Sequence, residues 1–275
     1  MKIIQEKWWL NDGNQIPAIG VGFWQVAKTD AKRVVEEALD LGYLHLDTAI
    51  AYDNEEEIGV ALKDLKGMDR ERIFLTSKIP AEIKSYKGVK EAIDDSLRRL
   101  QVEYLDLMLI HAPKPWSIMH IPFTPRYKKE NVEVYRAMLE AQKEGKIRSV
   151  GVSNFNVEDL KNVMDALAVT PAVNQIRTHI GHVDDRVIDF CKTKNILVEG
   201  YSPIMTGRLK TNKKVQEMAG RYGVSVAQLC IRFDYQLGVL PLPKTTHKEY
   251  LAQNSQLDFV ISQEDMQSLL QINTF

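Results

Sequence analysis

The sequence has few cysteines and no excess of charge of either sign. Only two of its 275 residues are cysteines, Cys191 and Cys230, and each lies in an amphipathic segment beside apolar neighbours. We interpret both as buried free thiols, with a redox or metal role as the minor alternative. Lysine and arginine number 36 against 37 aspartates and glutamates, a formal net charge of −1. This balance argues against nucleic acid or an anionic membrane as a partner.

Long apolar runs are also missing. No stretch approaches the length of a membrane span, and the opening residues MKIIQEKWWLNDG lack the apolar core of a signal peptide. No linker, low-complexity stretch or shift in composition divides the chain. We therefore expect a soluble, cytoplasmic protein, a monomer or weak dimer, whose residues 1–275 form a single domain. With 44% hydrophobic residues, a chain of this length can bury a large core.

Short apolar runs recur along the chain with helix-like segments between them. The eight runs cover residues 18–24, 43–49, 72–78, 104–112, 147–155, 172–176, 196–202 and 239–244. None alternates strictly between apolar and polar residues, as expected for strands buried on both faces. Segments between them, such as GVKEAIDDSLRRL, place apolar side chains along one helical face. Strand followed by helix, repeated in this way, predicts an α/β fold of the (β/α)8 TIM-barrel type.

The two ends of the chain fall outside this repeat. The segment IIQEKWWLNDGNQIP has an Asp-Gly turn between apolar runs, which predicts a β-hairpin capping the N-terminal end of the barrel. An extra helix or loop is expected at the C-terminus. A doubly wound fold is the rival, but its dinucleotide fingerprint needs G-x-G-x-x-G, and GVGFWQ (20–25) supplies only Gly20 and Gly22.

Four polar residues lie at or just beyond the ends of the second, third and fourth predicted strands: Asp47, Tyr52, Lys78 and His111. Each alone has a structural explanation, such as a turn or a surface ion pair, but barrels place their active sites at these ends. A tyrosine, with an ordinary pKa of about 10, donates a proton readily only when its anion is stabilised. A lysine ammonium stabilises that anion, a buried carboxylate holds the lysine, and a neutral histidine orients a carbonyl oxygen.

The motifs around these residues resemble those of the aldo-keto reductase family. GYLHLDTAIAYDNEEEIG (42–59), GVSNF (151–155), YSPI (201–204) and LPKTT (242–246) are similar to family motifs in the same order, and the resemblance runs from about residue 15 to 270. It implies NAD(P)H-dependent reduction of aldehyde or ketone carbonyls to alcohols, reversible in principle. The catalytic tetrad would be Asp47, Tyr52, Lys78 and His111, with Tyr52 as the general acid. Relatives that reduce steroid carbon–carbon double bonds carry glutamate in place of this histidine, so His111 favours carbonyl chemistry.

The resemblance also implies a nicotinamide site at the strand ends. Ser153, Asn154 and Gln175 match residues that bind the carboxamide, and Tyr201 matches the aromatic residue that stacks on the ring. The loop expected to cover the pyrophosphate contributes Ser202, Ile204 and Thr206. A helix N-cap is the alternative role for Ser153 and Asn154, although Asn156 is better placed as the cap.

The segment LPKTTHKEYLAQN (242–254) resembles the family pocket for the 2′-phosphate of NADPH, with Lys244 and Thr245 on the phosphate and Asn254 near the adenine. Thr246 and Glu249 form a capping-box pattern, which predicts a helix start with free N–H groups facing an anion. Tyr250 stands where the family usually has arginine, and it lacks charged hydrogen bonds worth roughly 1.5–3 kcal/mol. NADP(H) is the expected cofactor because Lys244 and Thr245 remain. Dual use with NAD(H) is a hypothesis because Tyr250 replaces the arginine.

The substrate pocket is expected beside the tetrad, bordered by Trp24, His111 and Trp116. Many relatives have tryptophan directly after the histidine and two residues after the lysine, where this chain has Ala112 and Pro80. Trp116 and Tyr86 are candidates to refill that space. The proline- and aromatic-rich segment 114–130 is expected to close over the site. The pattern favours a roomier pocket for polar aldehydes or ketones and leaves the physiological carbonyl open.

A metal-dependent hydrolase and a cofactor-binding subunit are the two alternative functions. The stretch HIGHVDD (179–185) resembles metal ligands of barrel hydrolases, but it lacks the H-x-H pair that those enzymes carry on an early strand. Helix capping explains it better, and no metal site is predicted. Some members of the superfamily are channel-associated subunits that bind cofactor and turn over little, and slow turnover with tight cofactor binding would favour that function.

Overall fold

Eight parallel strands, each hydrogen-bonded to the next in chain order, form the barrel at the centre of the molecule. The computed structural model describes residues 2–65 and 69–273. Each predicted apolar run overlaps one barrel strand, so the (β/α)8 prediction is confirmed. The strands are β3 (Val21–Gly22), β4 (His45–Asp47), β5 (Phe74–Ile79), β6 (Leu105–Ile110), β7 (Ile147–Ser153), β8 (Val173–Arg177), β9 (Leu197–Tyr201) and β10 (Leu240–Leu242).

Backbone hydrogen bonds between the first and last barrel strands close the ring. The amide of Gly20 donates to the carbonyl of Pro241 at 3.2 Å, and that of Gly22 to the carbonyl of Pro243 at 2.9 Å. A Cβ atom at Gly20 would lie 2.7 Å from the His45 ring, so the absence of a side chain there leaves room for a histidine inside the barrel. The glycines of GVGFWQ therefore close the barrel at this point.

Helices surround the barrel, and their apolar faces cover its outer surface. They are α1 (Lys28–Asp40), α2 (Glu55–Lys63), α3 (Tyr86–Leu100), α4 (Lys128–Lys143), α5 (Val157–Leu167), α6 (Asp185–Thr193), α7 (Lys213–Arg221), α8 (Val226–Gln236), α9 (Lys248–Asn254) and α10 (Gln263–Leu270). In α3 the predicted apolar face is confirmed, because Val89, Ile93 and Leu100 are buried. Both α7 and α8 lie between β9 and β10, and α10 is the extra C-terminal helix that was predicted.

The predicted N-terminal hairpin is present and caps the barrel. Its strands β1 (Lys7–Trp9) and β2 (Gln15–Pro17) pair antiparallel, with Trp8 opposite Ile16. Ile16 of β2 and Leu10, the residue directly after β1, are buried in an apolar cluster that also contains Leu107 and Leu240 of the barrel strands. The hairpin thereby seals the end of the barrel opposite the strand ends that carry the polar residues.

The predicted capping box at the last motif is wrong. Helix α9 begins at Lys248 with His247 as N-cap and no side-chain capping hydrogen bond. The hydroxyl of Thr245 accepts a hydrogen bond from the His247 amide at 3.2 Å, so residues before the helix form a local turn. Glu249 lies near the His247 ring, 3.6 Å from Nδ1. The Thr246–Glu249 spacing is therefore shifted by one residue from the true helix start.

Two smaller predictions, on the cysteines and on the cap of α5, are also confirmed. Cys191 and Cys230 are buried free thiols, as predicted. Asn156 caps α5, where its side chain accepts hydrogen bonds from the amides of Glu158 and Asp159. Across residues 2–65 and 69–273, no helix is both long and apolar enough to cross a membrane.

We expect Gly59→Ala to destabilise the fold where α2 packs on α3. A Cβ atom at Gly59 would lie 2.4 Å from the Arg99 carbonyl oxygen and 2.7 Å from the Leu100 carbonyl carbon. Such overpacking costs about 1–3 kcal/mol in the free energy of unfolding. Gly220→Ala in α7 is the control, because no atom lies within 4 Å of the added Cβ and alanine favours a helix. Urea unfolding measures both, and equal stability of the two variants would contradict this packing.

Candidate active site

The four predicted tetrad residues come together at the carboxyl ends of neighbouring barrel strands. Asp47 ends β4, Lys78 lies near the end of β5, and His111 directly follows β6. Tyr52 ends the short 3₁₀ turn Ile50–Tyr52 that follows β4. Asp47, Lys78 and His111 are buried, with Lys78 wholly removed from solvent.

Lys78 is the centre of this group. Its Nζ donates to Asp47 Oδ1 at 2.7 Å, to the Thr48 carbonyl at 2.8 Å and to the Tyr52 hydroxyl at 3.3 Å. Burial lowers the pKa of Lys78, but the nearby Asp47 and Tyr52 outweigh burial and the net pKa is raised. The ammonium therefore keeps its charge, and its three hydrogens all point to named acceptors.

Tyr52 and His111 face each other beside this ammonium. The Tyr52 hydroxyl lies 3.5 Å from His111 Nε2, and the two rings meet edge to face. Burial raises the pKa of Tyr52 and the positive charge of Lys78 opposes that rise, so the phenol holds its proton at neutral pH. Burial, followed by the charge of Lys78, lowers the pKa of His111 to about 3. The site thus combines a protonated phenol with a neutral imidazole, the pair that carbonyl protonation requires.

The second oxygen of Asp47 is held by Gln175. Gln175 Nε2 donates to Asp47 Oδ2 at 2.8 Å and to Glu199 Oε2, also at 2.8 Å. Glu199 lies in β9 and is wholly buried, and the site residues predicted from the sequence do not include it. The available signal was an acidic residue inside the apolar run ILVEGYS (196–202).

Ser153, Asn154 and Tyr201 form one hydrogen-bonded chain at the ends of β7 and β9. The Tyr201 hydroxyl donates to Asn154 Oδ1 at 2.8 Å, and Asn154 Nδ2 donates to the Ser153 hydroxyl at 3.0 Å and to the His111 carbonyl at 3.0 Å. The Ser153 hydroxyl donates to the Gln175 carbonyl at 2.9 Å. Because Asn156 is the helix cap, Asn154 is free for this chain, which links the predicted carboxamide ligands to the loop that carries His111.

A cavity of about 290 Å³ lies outside the barrel strands, between the loop after β9 and helices α8 and α9. It collects five of the predicted cofactor residues: Ile204, Lys244, Thr245, Tyr250 and Asn254. It also contains Lys210, which the sequence prediction missed because nothing in its local sequence marks it as a ligand. Lys210 Nζ lies 5.0 Å from the centre of the Tyr250 ring.

The loop after β9 brings Lys210 to this cavity through an irregular backbone. Ser202, Met205 and Thr206 all have left-handed φ angles, between 51° and 59°. Leu209 is buried in a side cluster of the core, and Gln216 Nε2 donates to the Lys210 carbonyl at 2.7 Å. Ser202 and Thr206 belong to this loop but do not line the cavity.

On the substrate side, Trp116 lies next to the tetrad and Tyr86 does not. The Trp116 ring meets the His111 ring edge to face with centres 5.3 Å apart. The Tyr86 hydroxyl donates instead to Glu140 of α4, so Tyr86 cannot refill the pocket. Trp24 lies in the turn after β3 with 46% of its surface exposed.

The residues of HIGHVDD have structural contacts of their own. His179 and His182 form an isolated backbone bridge, and the Asp184 side chain caps α6 by accepting from the Val187 amide. Within residues 2–65 and 69–273, no group of three or more histidine, cysteine, aspartate or glutamate side chains is arranged to hold a metal ion.

Known proteins resemble this chain over nearly its whole length. The Aldo/keto reductase family profile matches residues 18–274. A glyoxal reductase of Bacillus subtilis is 36% identical over 266 residues, covering 96% of this chain and 91% of the relative. Methylglyoxal reductase DkgA of Escherichia coli is 34% identical over 267 residues, covering 96% and 92%. The crystal structure of a Bombyx mori aldo-keto reductase in complex with NADP has a TM-score of 0.87 at 29% identity, covering 98% and 92%.

The chain therefore belongs to the aldo/keto reductase family. It is an oxidoreductase that reduces carbonyl groups with NAD(P)H, and the family resemblance read from its sequence motifs is confirmed.

We expect the two histidines buried in and below the site to make stability fall at acid pH. Burial first and Lys78 second lower the pKa of His45 and of His111 from 6.5 to about 3. Between these pH values, the two histidines therefore bind protons in the unfolded chain but not in the folded one. The stabilisation is complete above pH 6.5 and is lost as the pH falls toward 3, by up to about 1.4 kcal/mol per pH unit for each histidine.

Urea unfolding at pH values between 7 and 4 measures this slope. His111→Gln should reduce it by the share of one histidine, because glutamine does not titrate. His120→Gln is the matched control, since His120 is exposed on a loop and its replacement should leave the slope unchanged. Identical slopes in all three proteins would show that His111 does not contribute to the loss of stability at acid pH.

Proposed function

We propose that this enzyme reduces small aldehydes and ketones, α-dicarbonyls among them, with NADPH as the preferred cofactor and Tyr52 as the proton donor. One observation carries the proposal: a protonated phenol lies 3.3 Å from a buried lysine and 3.5 Å from a neutral histidine at the strand ends. The relatives named glyoxal and methylglyoxal reductase support the dicarbonyl class.

The residues divide the proton transfer between them. When bound, NADPH supplies hydride to the carbonyl carbon. Tyr52 gives its hydroxyl proton to the carbonyl oxygen, and the positive charge of Lys78 stabilises the phenolate that is left. His111, held neutral by burial, donates a hydrogen bond that orients the same oxygen. The reverse reaction uses the same groups, with the Tyr52 phenolate taking the proton of an alcohol.

The outer cavity fits the adenosine 2′-phosphate end of the cofactor. Lys210 and Lys244 line it, and no acidic residue is among its described lining residues. Asn254 is buried, and its Oδ1 finds no hydrogen-bond partner among the residues that the structure describes. Two cations and an unpaired amide oxygen suit a ligand that carries both a phosphate and a hydrogen-bond donor such as an adenine amino group.

Lys210 supports the preference for NADPH despite Tyr250. A tyrosine at this position makes no charged bond to a phosphate, a loss of about 10- to 150-fold in relative affinity. The ammonium of Lys210, 5.0 Å from the Tyr250 ring, returns a positive charge to the same cavity. We therefore propose NADPH as the preferred cofactor and NADH as a weaker second one. The Trp116 ring lies beside His111, with the ring centres 5.3 Å apart, and we propose that it borders a substrate pocket that is roomier because Ala112 and Pro80 stand where many relatives have tryptophan.

We expect Tyr52→Phe to abolish turnover while cofactor binding is kept. Loss of a positioned general acid lowers rates by about 10²- to 10⁴-fold. Cofactor oxidation at 340 nm with a panel of small aldehydes, ketones and dicarbonyls measures activity, and fluorescence titration measures the Kd for NADPH. Tyr86→Phe is the matched control, because it removes a tyrosine hydroxyl that donates to Glu140 of α4 and not to a tetrad residue. Undiminished turnover by Tyr52→Phe would rule out this proton donor.

We expect Tyr250→Arg to raise the ratio of NADPH to NADH affinity, by up to the same 10- to 150-fold. Lys210→Gln should lower the ratio, because it removes a charge from the cavity. Lys214→Gln is the control, since Lys214 is an exposed lysine of α7 that does not line the cavity. Titration with both cofactors gives the four ratios. An unchanged ratio in Tyr250→Arg and Lys210→Gln would overturn this account of cofactor choice.

A further inference from the structure

We propose that Glu199 is a positioning residue of the cofactor site, which fixes the Gln175 amide so that its oxygen faces the nicotinamide carboxamide. The inference rests on the proposed NADPH site and adds a residue that lies below it, inside the barrel. Glu199 touches no reacting atom and acts only through Gln175.

The first step is the layer of polar side chains beneath the tetrad. Glu199 in β9, Gln175 in β8 and Asp47 in β4 are buried, with 0%, 2% and 4% of their surfaces exposed. Gln175 Nε2 lies between the two carboxyl groups, 2.8 Å from Asp47 Oδ2 and 2.8 Å from Glu199 Oε2. Thus a single amide group bridges opposite sides of the barrel.

The second step is the direction of the amide. Asp47 is paired with the Lys78 ammonium at 2.7 Å, so its carboxylate is ionised and can only accept hydrogen bonds. The nitrogen of Gln175 must therefore face it. Since both hydrogens of that nitrogen point to carboxyl groups, the amide oxygen is the atom left for a ligand. An amide oxygen accepts from an N–H group, which the nicotinamide carboxamide has.

The third step is the need for two hydrogen bonds. One bond, to Asp47, would hold the nitrogen inward but leave the amide plane free to turn about that bond. A second bond, to Glu199, fixes the plane and with it the direction of the oxygen. Asp47 Oδ2 accepts the first of these bonds, while Asp47 Oδ1 accepts from Lys78.

The fourth step is the protonation of Glu199. Burial first, and then the charge of Asp47, raise the pKa of Glu199 to about 8. Its Oε2 accepts from Gln175, so the proton belongs on Oε1, which has no hydrogen-bond partner among the described residues. The charges of Asp47 and Lys78 act on Glu199, and His45 Nε2 lies 3.8 Å from its Oε1. A neutral glutamine at this position would therefore offer the same acceptor.

The test compares binding of NADPH with its 3-acetylpyridine analogue, whose methyl ketone has no N–H to donate. The wild-type protein should prefer NADPH. Glu199→Met should reduce that preference by about three- to tenfold, because one orienting hydrogen bond is lost. Glu199→Gln should keep the wild-type preference. Binding of 2′,5′-ADP, which has the phosphate but no nicotinamide, should be the same in all three proteins.

The role of Glu199 is tested by cofactor binding alone, and turnover tests only the proposed function. An unchanged preference in Glu199→Met would overturn the proposal, as would equal weakening of NADPH and 2′,5′-ADP, which would make Glu199 a residue of general stability. If Glu199→Met does not fold, Glu199→Ala takes its place and must show the same loss of preference. Normal preferences in a protein that reduces no carbonyl would count against the proposed function and leave the role of Glu199 standing.

Discussion

The buried ion pair between Lys78 and Asp47 is the contact on which the rest of the active site depends. An ammonium removed from water is tolerated only when its partner and hydrogen bonds replace the solvent, and loss of either partner costs about 3–5 kcal/mol. Here Asp47, the Thr48 carbonyl and Tyr52 take all three hydrogens. Asp47 also holds Gln175, so the same carboxylate links the proton-donating side of the site to the cofactor side.

Much of the fold could be predicted because strands buried on both faces leave a pattern that local sequence shows. The apolar runs located the barrel strands, and the Asp-Gly turn located the hairpin. The start of α9 was predicted wrongly because a Thr–Glu spacing does not reveal that the neighbouring hydroxyl of Thr245 already forms a turn. Gly20 carried no signal as a nucleotide motif, since the absence of a side chain there makes room for His45 on the adjacent strand.

That the four residues of the proposed tetrad lie close together could be predicted from the sequence, because each lies at or just beyond the end of a strand whose apolar run is visible. Contacts between residues far apart in the chain leave no such trace, so Glu199 beside Gln175 and Lys210 beside Tyr250 were missed. Glu55 is a further case. It is the first of three consecutive glutamates, yet it alone of the three is buried, where Ser77, Ser96 and Arg99 all donate to it. Position in the sequence cannot distinguish Glu55 from Glu56, which is exposed, or from Glu57, which is partly exposed.

The contrast between one buried lysine and two exposed lysines determines how the site responds to ionic strength. Lys78 lies inside the barrel, where mobile ions do not reach, whereas Lys210 and Lys244 are exposed at the rim of the outer cavity. Dissolved salt screens exposed charges over about 8–10 Å at ordinary concentrations and affects buried pairs far less. If the outer cavity binds the cofactor phosphate as proposed, salt should weaken the binding of that ligand and leave the proton-transfer step unchanged, so the two parts of the site should respond differently to ionic strength.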